Sequence, residues 1–200
     1  MRLEPIKNPT LARKLVPPAI ALISTVVIAS FLAMVAGANP FSVIGLILKG
    51  SFGSQFAILE TLNRATPLIF TGLAVAVAFR AKFWNIGAEA QLYAGALMTV
   101  ILGTGVLPWP SFAILPLIIV AAILAGAIVL LAPALLKTRF GVDEVVTTLL
   151  FNFIFLLFIS MLLEGVLKDP LGMGWPKSAR IIPEAKLPRI VDGLRLHWGF

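Results

Sequence analysis

Long apolar stretches alternate with short polar stretches along almost the whole chain. The apolar stretches are continuous, whereas a strand of a membrane β-barrel alternates apolar and polar residues. A helix of about 20 apolar residues crosses the hydrocarbon core of a bilayer. The pattern therefore predicts an all-α polytopic integral membrane protein with about five transmembrane helices. The predicted spans lie near residues 15–36, 58–79, 86–102, 112–136 and 145–163.

The polar connections predict how these spans are oriented. Basic residues precede the first span, at Arg2, Lys7, Arg13 and Lys14, and the positive-inside rule places this N-terminus in the cytoplasm. The alternative, a cleaved signal peptide, is disfavoured because the apolar stretch is longer than the usual signal-peptide core. Residues 41–56 carry three glycines and a lysine, and they are interpreted as an interfacial helix and loop on the outer side.

The polar segment 164–198 is placed outside by counting the spans before it. Its basic residues are Lys168, Lys177, Arg180, Lys186, Arg189 and Arg195. So many basic residues on the outer side conflict with the positive-inside rule. Trp198, close to the end of the sequence, is typical of a membrane interface, so a further span is expected to begin near residue 198.

Composition excludes several classes of protein. Hydrophobic residues make up 60% and charged residues 12% of the chain, whereas soluble domains have about 25% charged residues. The net charge of +7 comes from residues that flank apolar stretches, so it does not indicate nucleic-acid binding. The chain has no cysteine and one histidine, which excludes disulfides and a Cys/His zinc site. It also contains no phosphate-binding loop, so any ATP hydrolysis is expected on another chain.

Polar residues cluster between residues 60 and 91, beside membrane-length apolar stretches. Polar groups in that position are costly unless they face protein or water, which makes them candidates for a solute pathway. The structural alternative is equally open. Glu60 and Arg64 can pair across one helical turn at the headgroup level. Asn85 can cap the third span, and Glu89 in its first turn suits the helix dipole.

Small and polar residues predict contacts between the helices. Gly87, Gln91 and Gly95 recur every four residues, and the fourth span carries small residues at Ala121, Ala122, Ala125 and Gly126. Such faces allow close approach of membrane helices. In the fifth span, Thr147, Thr148 and Asn152 can bond across helices, with Asn152 equally suited to packing or to lining a pathway. The polar loop 137–144 is interpreted either as a partner contact or as a solvated turn.

Two sequence segments carry a family resemblance. PLIFTGLAVAVAFRAKFWNIGAEAQ and GVDEVVTTLLFN resemble the permease subunits of ABC importers for nucleosides and simple sugars, the type served by a basic-membrane-protein lipoprotein. The resemblance extends through the GWPKSARIIPE segment. The family reads Gly at Ala90 and Asn at Asp143, and its chains are longer, with a further span and an ATPase-docking loop. The sequence is therefore expected to be the N-terminal part of a longer permease.

The resemblance implies a transporter subunit and no enzyme. Its expected partners are a second permease subunit, cytoplasmic ATPase subunits, an extracytoplasmic substrate-binding lipoprotein and the lipid bilayer of a prokaryotic cytoplasmic membrane. No cofactor or metal is expected on this chain, since ATP belongs to the ATPase. The hypothesis for the translocation path is Asn63, Arg64, Asn85, Glu89 and Gln91. The hypothesis for the cytoplasmic contact is Arg139, Gly141, Asp143 and Glu144.

Two alternatives stay open. The first is a permease for branched-chain amino acids or another small solute. The second is a membrane-embedded enzyme or scaffold that transports nothing. The sequence gives an intramembrane enzyme little support, because no two acidic residues lie together within a predicted span.

Overall fold

The computed structural model describes residues 10–105, 109–191 and 193–200. Arg2 and Lys7, on which the predicted orientation partly depends, lie outside the described residues. The described residues form six α-helices, one short 3₁₀-helix and no β-strand. The α-helices are α1 (Leu11–Val35), α2 (Pro40–Phe52), α3 (Gln55–Arg80), α4 (Ala88–Gly103), α5 (Ser111–Phe140) and α6 (Glu144–Glu164). The all-α polytopic membrane fold predicted from the sequence is confirmed.

Four of these helices are long and apolar enough to cross a membrane, namely α1, α3, α5 and α6. The third predicted span falls on α4, which has 16 residues. At 1.5 Å per residue α4 is about 24 Å long, shorter than a hydrocarbon core of about 30 Å. The five predicted spans therefore correspond to four long helices and one short helix.

The described residues divide into two compact units. The first contains α1, α2 and the first turns of α3, up to Thr61. Asn39 caps α2 by accepting hydrogen bonds from the backbone N–H of Phe41 (2.9 Å) and of Ser42 (3.4 Å). Helices α1 and α2 contact each other, yet neither contains a buried residue. Residues 41–56 are thus mostly helical, with a turn at Gly53 before α3 begins.

The second unit, Leu62–Phe200, contains the packed part of the protein. Its centre is α4, which packs against α5 and α6. Ala90, Ala94 and Val129 form a buried apolar cluster, bordered by Ala125, Phe151 and Phe155. A Cβ atom at Gly95 would lie 3.5 Å from the Cβ of Ala122, so these two helices meet through their small residues. The prediction that the third and the fourth span each carry a small-residue face for helix contact is confirmed.

The C-terminal segment, residues 165–200, follows α6 and contains the 3₁₀-helix Pro183–Ala185. The backbone N–H of Ile182 donates to the carbonyl of Gly103 at 2.8 Å, which ties the segment to the end of α4. Ala185 joins Ile114 and Ile118 of α5 in a second buried apolar cluster. Two isolated antiparallel bridges, Lys168 with Ser178 and Arg189 with His197, shape the rest of the described segment.

Candidate functional site

The candidate site lies where the loop between α3 and α4, residues 81–87, meets the first turns of α6. One face of α6 carries Glu144, Thr148 and Asn152, spaced four residues apart. Residues four apart lie on the same side of a helix. All three side chains point to this loop, and each makes a hydrogen bond with its backbone or with the first turn of α4.

Asn152 caps α4 from another helix. Its Oδ1 accepts the backbone N–H of Ala90 at 2.9 Å, and its Nδ2 donates to the carbonyl of Ile86 at 2.9 Å. The first N–H groups of a helix have no partner within the helix, and Ala90 is fully buried (0% exposed). Asn152 therefore supplies an acceptor that water cannot supply at this position. The interpretation of Asn152 as a residue that bonds across helices is confirmed.

Asn85 is not the N-cap of α4, contrary to one interpretation of the sequence. The N-cap position is Gly87, which has no side chain to cap with. The Oδ1 of Asn85 instead accepts the N–H of Gly87 at 2.9 Å and a bond from Nε2 of Gln91 at 3.2 Å. Asn85 is 1% exposed, so its amide shapes the loop from within.

Thr148 joins the same loop to α6. Its hydroxyl oxygen accepts the backbone N–H of Ile86 at 3.2 Å, and the hydroxyl donates to the carbonyl of Glu144 at 2.6 Å. A Cβ atom placed on Gly87 would lie 3.0 Å from the carbonyl oxygen of Thr148. The loop and α6 thus approach so closely that a side chain at residue 87 would force one of them to shift.

An ion pair between Lys137 and Glu144 also belongs to the site. The Nζ of Lys137, in the last turn of α5, bonds to Oε1 of Glu144 and donates to the carbonyl of Lys82 at 2.9 Å. The same ammonium group lies 5.3 Å from the centre of the Phe83 ring, within range of a cation–π interaction. Oε1 of Glu144 also accepts the N–H of Trp84 at 3.3 Å. Lys137 and Glu144 therefore join α5, α6 and the α3–α4 loop.

The residues proposed for the translocation path occupy different environments. Asn85 and Gln91 are hydrogen-bonded to each other, and Asn85 is buried. Asn63 is half-buried and Arg64 is exposed, both in the N-terminal half of α3. Glu89 is exposed in the first turn of α4. The structure thus brings together two of the five residues, in an interlocked cluster.

Glu89 borders a cleft between α3 and α4. The cleft has a volume of about 500 Å³ and is lined by one face of α3 (Leu68, Thr71, Gly72 and Val75) and by Ala88, Glu89 and Leu92 of α4. Thr71 bonds to carbonyls of its own helix, Pro67 (2.9 Å) and Leu68 (3.2 Å). The carboxyl group of Glu89 is thus the charged group at an otherwise mostly apolar cleft, and it can accept hydrogen bonds.

The residues proposed for the cytoplasmic contact surround the turn between α5 and α6. Arg139, Gly141 and Asp143 are exposed there. Gly141 ends α5 with φ of 67°, a left-handed conformation that favours glycine, and Asp143 caps α6 by accepting the N–H of Val145 at 2.8 Å. Glu144 is buried (8% exposed) in its bonds to Lys137 and Trp84. Three of these residues are therefore available to a partner, and the fourth has an internal role.

Lys137 belongs to this site, although in the sequence it stands out only as one basic residue of the polar loop 137–144. Its separation from Glu144 along the chain is the signal that could identify it. A basic residue in the last turn of one helix and an acidic residue in the first turn of the next can meet across a short turn. The contact of Lys137 with the backbone of Lys82 has no sequence signal, because the two residues meet only through the packing of the helices.

Comparison of the sequence with known proteins identifies a family and several relatives. The profile of the family described as "Branched-chain amino acid transport system / permease component" matches residues 57–195. The guanosine ABC transporter permease protein of Bacillus subtilis is 35% identical over 190 residues, which are 92% of this chain and 53% of that protein. The glucose ABC transporter permease protein of Haloferax volcanii is 35% identical over 171 residues, 86% of this chain and 44% of that protein.

A third relative is more distant. The nucleoside ABC transporter permease protein of Lactococcus lactis is 28% identical over 161 residues, 80% of this chain and 44% of that protein. No solved structure matches the chain significantly. The chain spans about half the length of the curated relatives it matches. The family profile covers the candidate site and most of the chain, and the chain therefore belongs to the family described as "Branched-chain amino acid transport system / permease component".

Proposed function

We propose that this chain forms part of the translocation path of an ABC importer permease that carries nucleosides or simple sugars. The observation that carries the proposal is the set of relatives, named for guanosine, glucose and nucleosides, which match 92%, 86% and 80% of this chain. Four apolar helices of membrane-spanning length support the membrane part of the proposal. The chain acts as a transporter subunit and carries out no covalent chemistry.

The proposed assembly places this chain in the cytoplasmic membrane of a prokaryote with its N-terminus inside. A second permease subunit completes the pore, two ATPase subunits bind ATP and drive the cycle from the cytoplasm, and a substrate-binding lipoprotein delivers solute from outside. The exposed turn of Arg139, Gly141 and Asp143 is the proposed cytoplasmic contact. The hydrogen bond from Lys137 to the carbonyl of Lys82 links the end of α5 beside this turn to the α3–α4 loop. This link supports the role, because a displacement of the turn would be passed to the loop that precedes α4.

Alternating access needs one part of the permease to stay rigid while another part moves. Helices α4, α5 and α6 and the α3–α4 loop are joined by hydrogen bonds from Lys137, Thr148 and Asn152. We propose that they move together. The cleft bordered by α3 and Glu89 is then the place where solute passes, with the carboxyl group of Glu89 accepting hydrogen bonds from sugar hydroxyls.

The second candidate is transport of branched-chain amino acids, which the description of the matching family favours. Uptake of different labelled solutes separates the two. Cells that contain the protein and its native partners are given labelled guanosine, glucose or leucine in separate assays. Protein-dependent uptake of guanosine or glucose, competed by the same unlabelled solute, supports the first candidate, whereas uptake of leucine alone supports the second. Co-purification of an ATPase in mild detergent separates both from a non-transporting scaffold.

The role of Glu89 is tested with Glu89→Gln. A hydrogen bond to a charged group contributes about 1.5–3 kcal/mol, so we expect uptake per transporter to fall roughly tenfold or more. The matched control is Glu164→Gln, which removes an exposed carboxylate at the end of α6 and is expected to leave uptake unchanged. Unchanged uptake in Glu89→Gln at equal protein level removes Glu89 from the path.

A further inference from the structure

A second cavity lies at the other end of α4, against the C-terminal segment. It measures about 410 Å³. One wall is apolar and comes from the membrane helices, with Leu115 and Ile119 of α5 and Thr99 of α4. The rest of the lining comes from the C-terminal segment and includes Lys186, Arg189, Arg195 and His197 beside the apolar residues Ile181, Ala185 and Leu187. The cavity is therefore mostly apolar, and its basic residues all come from the C-terminal segment. We refer to these basic residues as the cationic wall.

The C-terminal segment holds these basic residues in a fixed arrangement. Arg189 and His197 form an antiparallel bridge, and the N–H of Ile190 donates to the carbonyl of Leu196 at 2.9 Å. Leu196 is buried (5% exposed), so the hairpin is held down by its own apolar side chain. Lys186 and Arg189 are exposed and line the cavity. The backbone contacts of the segment thus fix the positions of the residues that form the cationic wall.

His197 adds a donor of defined geometry. Its Nδ1 accepts the backbone N–H of Gly199 at 3.1 Å. With Nδ1 used as an acceptor, Nε2 is the ring nitrogen that can donate a hydrogen bond. The half-buried ring of His197 lies in the cationic wall, where it provides a donor in addition to the charges of Lys186 and Arg189.

The cavity is expected to lie at the level of a membrane interface, because it is lined near the ends of two apolar helices. Leu115 and Ile119 are in the first turns of α5, a helix of membrane-spanning length, and Thr99 is close to the end of α4. A ligand here would have an apolar part alongside the helices and an anionic part against the C-terminal segment. This is the composition of an anionic phospholipid, and basic pockets at membrane interfaces suit such headgroups.

We propose that this cavity binds an anionic phospholipid, with its acyl chains along Leu115 and Ile119 and its phosphate against Lys186, Arg189 and His197. The site is independent of the transported solute and goes beyond the proposed function. It also gives a reason for two of the basic residues of the C-terminal segment, Lys186 and Arg189, which conflict with the positive-inside rule if the segment lies outside. In the proposal these two charges contact a lipid headgroup.

Native mass spectrometry of the delipidated full chain in detergent tests the proposal. The probes are phosphatidylglycerol, phosphatidylcholine with the same acyl chains, glycerol 1-phosphate and inorganic phosphate. We expect phosphatidylglycerol to bind as a first equivalent at least tenfold more tightly than phosphatidylcholine. Equal binding of the two lipids overturns the proposal. Binding of inorganic phosphate or glycerol 1-phosphate as tight as that of phosphatidylglycerol also overturns it, since the apolar wall would then contribute nothing.

Two variants locate the site. Each basic residue near an anionic headgroup contributes about fivefold to affinity, so Lys186→Gln with Arg189→Gln should weaken phosphatidylglycerol binding roughly twentyfold. The control pair Lys168→Gln with Arg180→Gln removes the same charge from the same segment outside the cavity, and binding should stay within about twofold. An equal loss in both pairs indicates non-specific attraction by net charge and overturns the site.

The apolar wall is tested with Ile119→Trp, which fills the cavity without changing any charge. We expect at least a tenfold loss of phosphatidylglycerol binding, while the helical circular dichroism stays unchanged. Unchanged lipid binding in this variant places the lipid elsewhere and overturns the proposal. Guanosine uptake, measured in parallel, tests the transport proposal separately, because none of these outcomes depends on which solute is carried.

Discussion

The two ends of α4 are held by different chemistry. At its N-terminal end, Asn152 and Thr148 of α6 bond to the backbone of α4 and of the loop before it, and Lys137 and Glu144 extend the contact. At its C-terminal end, Gly103 packs beneath Ile181 and Ala185, with one backbone bond from Ile182. We refer to these as the polar end and the apolar end of α4.

The difference has a physical consequence in a membrane. Lipid tails are as apolar as leucine, so an apolar contact between helices can be exchanged for a lipid contact at modest cost. A buried backbone N–H has no such substitute, because the hydrocarbon core offers no acceptor. The polar end is therefore expected to stay assembled through a transport cycle. The apolar end is the place where the helices and the C-terminal segment can separate.

The largest effect is expected at the polar end, for Asn152→Leu. The substitution keeps the size of the side chain and removes both bonds, leaving the buried N–H of Ala90 and the carbonyl of Ile86 without their partner. A buried N–H left without an acceptor costs about 1–3 kcal/mol, whereas Ile86 is exposed and its carbonyl adds little. The free energy of unfolding should therefore fall by about 2–3 kcal/mol. Thermal unfolding in detergent measures it as a clear drop in Tm.

The control for this variant is Ser160→Ala on the same helix. The hydroxyl of Ser160 bonds to the carbonyl of Leu156 in its own helix and to nothing else that the described residues show. Its removal should change the free energy of unfolding by less than about 0.5 kcal/mol. If Asn152→Leu is as mild as Ser160→Ala, the polar end does not hold α4 and the comparison of the two ends fails.

A smaller effect is expected at the apolar end, for Ile118→Ala. Ile118 is 5% exposed and packs in the cluster with Ile114 and Ala185. In soluble proteins Ile→Ala costs about 2–5 kcal/mol, of which part is transfer from water. The transfer contribution is absent where the side chain moves from protein to lipid, so the free energy of unfolding should fall by only about 1–2 kcal/mol. Ile123→Ala, which removes a side chain that is 66% exposed, is the control and should be nearly neutral. A loss larger than that of Asn152→Leu would reverse the ranking of the two ends.

Most of the fold follows from the apolar pattern, because membrane helices must be continuous and apolar. The predicted spans fall on α1, α3, α4, α5 and α6 for this reason. The small residues Gly95 and Ala122 also indicate that their helix faces can contact other helices, since close approach of helices requires small residues. The length of α4 is less predictable. Helix α4 begins at Ala88, directly after Gly87, and Gly87 lies against Thr148 of α6. The start of α4 therefore depends on a contact between helices that the sequence does not show.

The sequence predicts only part of the candidate site. Polar residues within apolar stretches, such as Asn85 and Asn152, are unusual and can be recognised as candidates. Which of them faces solute and which bonds to protein depends on the register between helices. That register places Asn152 opposite the N–H of Ala90 and buries Asn85, and it leaves Glu89 at the cleft. A single sequence does not contain this information, so both interpretations of these residues stay open there.

The smallest and most selective effect is expected from the neighbouring threonines of α6. Thr148→Val keeps the shape of the side chain but leaves the N–H of Ile86 without its acceptor, which should cost about 1 kcal/mol. Thr147→Val is the matched control, because Thr147 is also buried but its hydroxyl bonds to the carbonyls of Asp143 and Glu144 in its own chain turn. Hydrogen exchange at Ile86 and Trp84, read by mass spectrometry, should increase in Thr148→Val and stay unchanged in Thr147→Val. Equal exchange in both variants would mean that Lys137, Glu144 and Asn152 hold the loop without a contribution from Thr148. The contact of α6 with the polar end would then be narrower than the geometry indicates.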